Sequence, residues 1–181
     1  MPNNKANHTD TRREDWGTPQ WLFSVLDSIF HFEIDLAANE CNAKCNSYIS
    51  EDYNFFKVYK TLKGSPWKWC NPPYSRSGCG KWVDALMQLD KVVALLPASV
   101  CTKWFMPIWN YADMVVILKG RLRHEGAPGS AQFGSCLAIK GYKGRVDLDL
   151  YGISKLRSLG TVIDSAGIQP YTVSVDRFAV R

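Results

Sequence analysis

An α/β fold with parallel strands at the centre of its sheet is predicted for this 181-residue chain by three observations. Short apolar runs that suit strands alternate with helical patterns through most of its length. Several of those runs stop abruptly at polar or proline-bearing turns, namely Asp35 to Asn39, Asn71 to Tyr74 and Pro97 to Ser99. A composition of 46% hydrophobic and 22% charged residues belongs to one folded core, not to a disordered or repetitive segment. Open sheets of this kind bind ligands at the carboxyl ends of their strands, so the three turns are expected on one rim as one site.

The elements follow in order. Residues 1–15 carry no large apolar side chain after Met1, and a mobile polar tail is expected there. Residues 16–181 then read as a single domain. Thr18 as cap and Pro19 in the first helical position start a helix, continued by Trp21, Leu22, Val25, Leu26 and Ile29. Phe32 to Ala38 suits a buried strand, and Asn42 to Asn46 a short helix. Trp67 to Cys70 is a strand that must stop at Asn71-Pro72-Pro73-Tyr74, because consecutive prolines cannot donate to a ladder. Trp82, Val83, Leu86, Met87 and Leu89 recur at helical spacing. Lys91 to Leu96 is a near-continuous apolar strand ended by Pro97. A helix is expected over Thr102 to Trp109. Asp113 to Leu118 and Ser135 to Ile139 read as two strands, a pair that can be antiparallel. Further strands are expected at Arg145 to Tyr151 and Tyr171 to Val175.

Composition excludes several classes of function. The apolar runs fall far short of the ~20 residues that span a bilayer. No secretory leader is expected in the polar first fifteen residues, so a cytoplasmic location is expected. The cysteines at 41, 45, 70, 79, 101 and 136 lack the paired spacing of a zinc site or disulfide scaffold, so they read as reduced and no metal is expected. The charge is uneven. Residues 1–90 hold 10 Lys and Arg against 11 Asp and Glu, whereas residues 91–181 hold 12 against 6. Much of the surplus lies between Lys119 and Arg145. A basic face of this kind favours a polyanion such as nucleic acid. Arg121, Arg123, Lys143 and Arg145, with His124 beside them, are the candidates for phosphate contacts.

The four residues Asn71 to Tyr74 carry the chemistry. An amino group on a heteroaromatic ring has its lone pair delocalised into the ring, and it attacks an electrophile only if density builds up on nitrogen. The Asn71 side-chain oxygen and the Pro72 carbonyl offer two acceptors for its two N–H bonds. Prolines fix φ near −65° and leave no competing N–H, so the acceptors are oriented before substrate arrives. Tyr74 offers an aromatic face, with base stacking worth about 1–3 kcal/mol. The alternative is a rigid turn that merely ends the strand, with Tyr74 in the core.

Asn71-Pro72-Pro73-Tyr74 resembles the [Asp/Asn/Ser]-Pro-Pro-aromatic signature of AdoMet-dependent amino methyltransferases. With Trp16 to Pro19, Asp35 to Ala38, Asn42 to Cys45 and Leu95 to Ala98 in order, the chain resembles the small Dam-type DNA N6-adenine methyltransferases of bacteriophages over roughly residues 16–139. The resemblance implies a class I, Rossmann-like methyltransferase sheet, mostly parallel with an antiparallel last strand. It implies S-adenosylmethionine as cofactor and DNA as partner; the spacing between Asp35 and Asn71 leaves no room for a recognition insert, so DNA-contacting loops and a C-terminal extension are expected in residues 119–181, and the oligomeric state, monomer or weak dimer, stays open. Asn71, Pro72, Pro73 and Tyr74 match the catalytic loop. Asp35, Ala37, Ala38 and Asn39 match the first cofactor loop, and Trp16, Thr18 and Pro19 a segment that covers the cofactor. The acid for the ribose hydroxyls is expected after the second strand, where Glu51 and Asp52 are candidates and Asp52 is taken. Two departures stand out: the first loop has no glycine, and only sixteen residues separate Ser50 from Trp67, so the third strand is short or absent. The same loop also suits methylation of a protein glutamine, and a degenerate fold that binds DNA without turnover is the third possibility.

Overall fold

The apolar runs become strands and the periodic segments become helices laid over them. A computed structural model describes residues 16–62, 64, 66–74, 78–142 and 150–164. In chain order these form α1 (Gln20–Phe30), β1 (Phe32–Asp35), β2 (Ser47–Tyr48), α2 (Phe55–Val58) with a 3-10 turn, β3 (Trp67–Cys70) and α3 (Gly78–Leu86). There follow β4 (Val92–Pro97), a 3-10 turn running into α4 (Met106–Tyr111), β5 (Met114–Leu118), β6 (Ser135–Lys140), α5 (Leu150–Leu159) and β7 (Gly160–Asp164).

The fold is mixed α/β around a seven-stranded sheet in the order β2-β1-β3-β4-β6-β5-β7. β1 pairs in parallel with β2 and β3, and β3 with β4. β6 is antiparallel to both β4 and β5, and β7 is antiparallel to β5. Five strands therefore share one direction, with β6 and β7 opposed. The register aligns Asp35 with Trp69 and Trp69 with Val93, so β1, β3 and β4 end on the same rim. β4 is buried along its whole length because both sheet faces are covered. Val92, Ala94 and Leu96 pack under α3 and α4 with Val83, Leu86, Phe105 and Ile108. Val93 and Leu95 face α1 and α5, among Leu22, Leu26, Trp69 and Leu156.

Several expectations are corrected. The buried stripe of α1 is Leu22, Phe23, Leu26 and Phe30, while Trp21 is 56% exposed, so the helix is rotated from the predicted face to put two phenylalanines on the sheet. Asn42 to Asn46 is turns and not helix, because its backbone wraps a buried carboxylate. In line with the expected short or absent third strand, no strand lies between β2 and β3 among the described residues; α2 and its 3-10 turn take that place. At the C-terminal end, Leu150 and Tyr151 open α5 instead of closing a strand, and the following strand is β7 at Gly160–Asp164. The rest of the predicted strands there lies outside the described residues. Gly160 is required where β7 meets β5: a Cβ there would stand 2.0 Å from the Ile117 carbonyl oxygen. Among the described residues, no helix is long and apolar enough to cross a membrane.

Candidate active site

The first rim loop is organised by a carboxylate. Asp35 ends β1 with 3% exposure, and its side chain accepts hydrogen bonds from the backbone N–H of Ala37 at 3.2 Å and of Lys44 at 3.1 Å. Burial pushes its carboxyl up to about 6, against the opposing pull of those two N–H groups and the Lys44 charge. Asn39 and Asn42 close the loop reciprocally: Asn42 Oδ1 accepts from Asn39 N at 2.7 Å, and Asn39 Oδ1 from Asn42 N at 3.1 Å. Side chains thus shape a loop that lacks glycine.

The second rim loop continues from β3. The Asn71 carboxamide is held at both ends: Nδ2 donates to the Trp16 carbonyl at 3.0 Å, and Oδ1 accepts from the Tyr74 hydroxyl at 2.7 Å. That hydroxyl also lies 3.0 Å from the Leu95 carbonyl of β4, so one proton is shared between two acceptors. Burial pushes the Tyr74 phenol up, keeping it a donor. Its ring stands edge-on to His124 and Phe133, with centroids 6.0 Å and 5.8 Å away.

A strap from residues 16–20 closes over both loops. Gly17 and Glu125 exchange backbone hydrogen bonds at 3.1 and 2.9 Å. Glu125 Oε1 accepts from the Gln20 N–H at 2.9 Å, and its Oε2 pairs with Lys44 Nζ at 2.8 Å. Thr18 makes no capping bond, contrary to expectation. A carboxylate 105 residues away complements the positive end of α1 instead.

Between these segments lies a cavity of about 400 Å³. Trp16, Thr18, Asp35 and Asn71 are on its wall, as are Ala37, Ala38, Asn39 and Pro73. Pro19, Pro72 and Tyr74 are not; the two prolines are buried behind it, and Tyr74 reaches Asn71 from the side. The turn at Pro97 to Ser99 ends on the same rim but meets the segment before β6, where Ala98 N donates to Gly134 O at 2.8 Å.

The family model described as DNA N-6-adenine-methyltransferase (Dam) matches residues 5–136. The chain belongs to this family. It is also 29% identical over 126 residues to a DNA N-6-adenine-methyltransferase of Escherichia phage T1, an alignment covering 64% of this chain and 52% of that protein. The chain spans about half the length of this curated relative. The family match contains the whole cavity and stops inside β6, so α5 and β7 lie beyond it.

Within the family segment, the structure adds residues that the sequence reading missed. Glu51 stands on the cavity wall where Asp52 was expected, since Asp52 is not among the lining side chains. Phe55, Phe56 and Trp82 form an aromatic end to the cavity, the Phe55 and Trp82 rings stacked at 4.6 Å and 11°. The adjacent phenylalanines were a visible signal; their meeting with Trp82 was not. Arg121 and Arg123 are exposed, alternating with buried Leu122 and His124. His124, grouped with the phosphate candidates, is only 2% exposed and stacks on Trp16, so it faces inward. Lys143 and Arg145 lie outside the described residues.

Proposed function

We propose that the chain transfers a methyl group from S-adenosylmethionine to the N6 amino group of adenine in DNA, on a class I methyltransferase sheet. The observation that carries this reading is a carboxamide at the end of β3, fixed by two hydrogen bonds on the wall of a cavity built from two other rim segments. Five co-directed strands, with β6 and β7 antiparallel to them, support a mostly parallel sheet of the kind the resemblance implies, although β6 is a second opposed strand beside the last one.

The cavity suits the cofactor. Its volume lies in the ~300–1,000 Å³ range of cofactor pockets. It joins an aromatic end to a polar one, and the buried Trp16 Nε1 on its wall has no protein partner. When bound, S-adenosylmethionine supplies an electrophilic methyl group on sulfur. The stacked Phe55–Trp82 pair would offer an aromatic surface to a planar base, Glu51 would accept from ribose hydroxyls, and Asp35 would face positive charge. Asn71 Oδ1 keeps a second lone pair beyond the Tyr74 bond, and with the Pro72 carbonyl it would hold the N–H bonds of the target amine. Adenine must leave the duplex to reach them. Arg121 and Arg123 would hold the phosphates. Sequencing that detects modified bases, applied to DNA from cells expressing the protein, is expected to show N6-methyladenine in a fixed sequence context. A labelled methyl donor that marks a protein extract and not DNA would favour glutamine as acceptor. Unmodified acceptors of both kinds with a donor-binding protein would sink both enzyme readings.

Asp35 makes donor binding sensitive to pH. A carboxyl near 6 in the fold and 3.8 otherwise binds more protons folded than unfolded between those values. Its contribution to stability is present below about pH 3.8 and lost as pH rises through about 6. The anion at pH 7 is kept at a cost in stability, which suits a binding role. Donor affinity is expected to fall as pH drops through about 6, by roughly tenfold at pH 5. Asp35→Asn should bind weakly with a flat profile. Calorimetric titration at pH 7.5 and 5 checks this, and a wild-type affinity indifferent to pH would refute it.

A further inference from the structure

His124 touches both residues that hold Asn71. Its ring is stacked on Trp16 with centroids 5.8 Å apart and planes at 29°, and edge-on to Tyr74 at 6.0 Å and 79°. The Trp16 carbonyl holds Asn71 Nδ2, and the Tyr74 hydroxyl holds Oδ1. One flat ring therefore lies against both residues that anchor a single carboxamide. The ring is itself fixed from behind. The next residue, Glu125, is bonded to Gly17 in both directions, Ala127 N donates to His124 O at 3.2 Å, and Ala131 N to Leu122 O at 2.8 Å.

We propose that His124 is a positioning residue for methyl transfer: its ring spaces Trp16 against Tyr74, so that the Asn71 carboxamide keeps one orientation on the cavity wall. This rests on the methyltransferase reading above. The role belongs to the shape of the ring. Burial lowers the imidazole pKa and favours the neutral form, against the opposing pull of the Gly17 backbone beside the ring. The same segment presents Arg121 and Arg123 to solvent, alternating with buried Leu122 and His124.

Two variants separate shape from volume. His124→Leu fills the space without a flat ring, and His124→Phe keeps the ring without nitrogens. In the free protein, the ¹H–¹⁵N signal of the Asn71 side-chain amide, identified by its loss in Asn71→Asp, is expected to move toward a free carboxamide in His124→Leu and to stay in His124→Phe. With DNA and donor, kcat is expected to fall at least tenfold in His124→Leu, while affinity for S-adenosylhomocysteine changes less than threefold. His124→Phe should remain within threefold of wild type. A His124→Leu protein with wild-type kcat and an unmoved Asn71 signal would overturn the proposal, as would a His124→Phe protein that behaves like His124→Leu. Wild-type protein that methylates no adenine would instead refute the functional reading, and the amide signal would still decide the positioning role.

Discussion

Asn71→Ala is expected to lower kcat for DNA methylation by about 10²–10³, the range seen when one preorganised transition-state contact is removed. The side chain makes two hydrogen bonds, to Trp16 and from Tyr74, and both are lost with it. Donor affinity should fall much less, because Asn71 is one of many groups on the cavity wall and the Asp35 loop is untouched. Asn71→Asp keeps an acceptor for the Tyr74 hydroxyl but loses the donor to Trp16, so it should retain more activity than the alanine variant. Initial rates with labelled donor and an unmodified duplex, with donor affinity measured separately, check the order. An Asn71→Ala enzyme within threefold of wild type would remove the basis for assigning chemistry to this loop.

Trp69→Ala is expected to cost about 3–5 kcal/mol of stability, as large aromatic truncations in packed cores do. Trp69 has 0% exposure at the centre of the sheet, with ring centroids 5.8 Å from Phe23 and 5.5 Å from Phe32. For a domain of this size that is a drop in Tm of roughly 6–20 °C. Trp69→Phe should cost far less, under about 1.5 kcal/mol, because the buried indole N–H has no partner and its removal offsets part of the lost volume. Thermal unfolding by circular dichroism checks both. A Trp69→Ala loss below about 1 kcal/mol would mean that α1 repacks onto the sheet without it.

The strands that lead to the site were legible because their signals are local. Trp67 to Cys70 matches β3 because two prolines forbid any continuation, and the run ended by Pro97 matches β4 because an uninterrupted apolar stretch suits a strand covered on both faces. The Asp35 to Asn39 turn was placed correctly on the rim, yet its missing glycines looked like a defect. The carboxylate that replaces them is visible only once Ala37 and Lys44 are brought to it. At positions 150 and 151 helix stands where a strand was expected, because an apolar pair suits either element and the packing of Ile153 and Leu156 of α5 decided between them.

From its amino acids alone, the chain determined where its backbone must turn and which loop joins an amide to an aromatic through two prolines, since steric limits and missing donors act within a few residues. Tertiary structure decided what completes those loops. Glu125 serves α1 from across the fold, Glu51 takes the wall in place of Asp52, and His124 turns inward against Trp16 while its neighbouring arginines turn out. Such choices depend on contacts between residues tens of positions apart, and no local preference encodes which side chain will be buried when those segments meet.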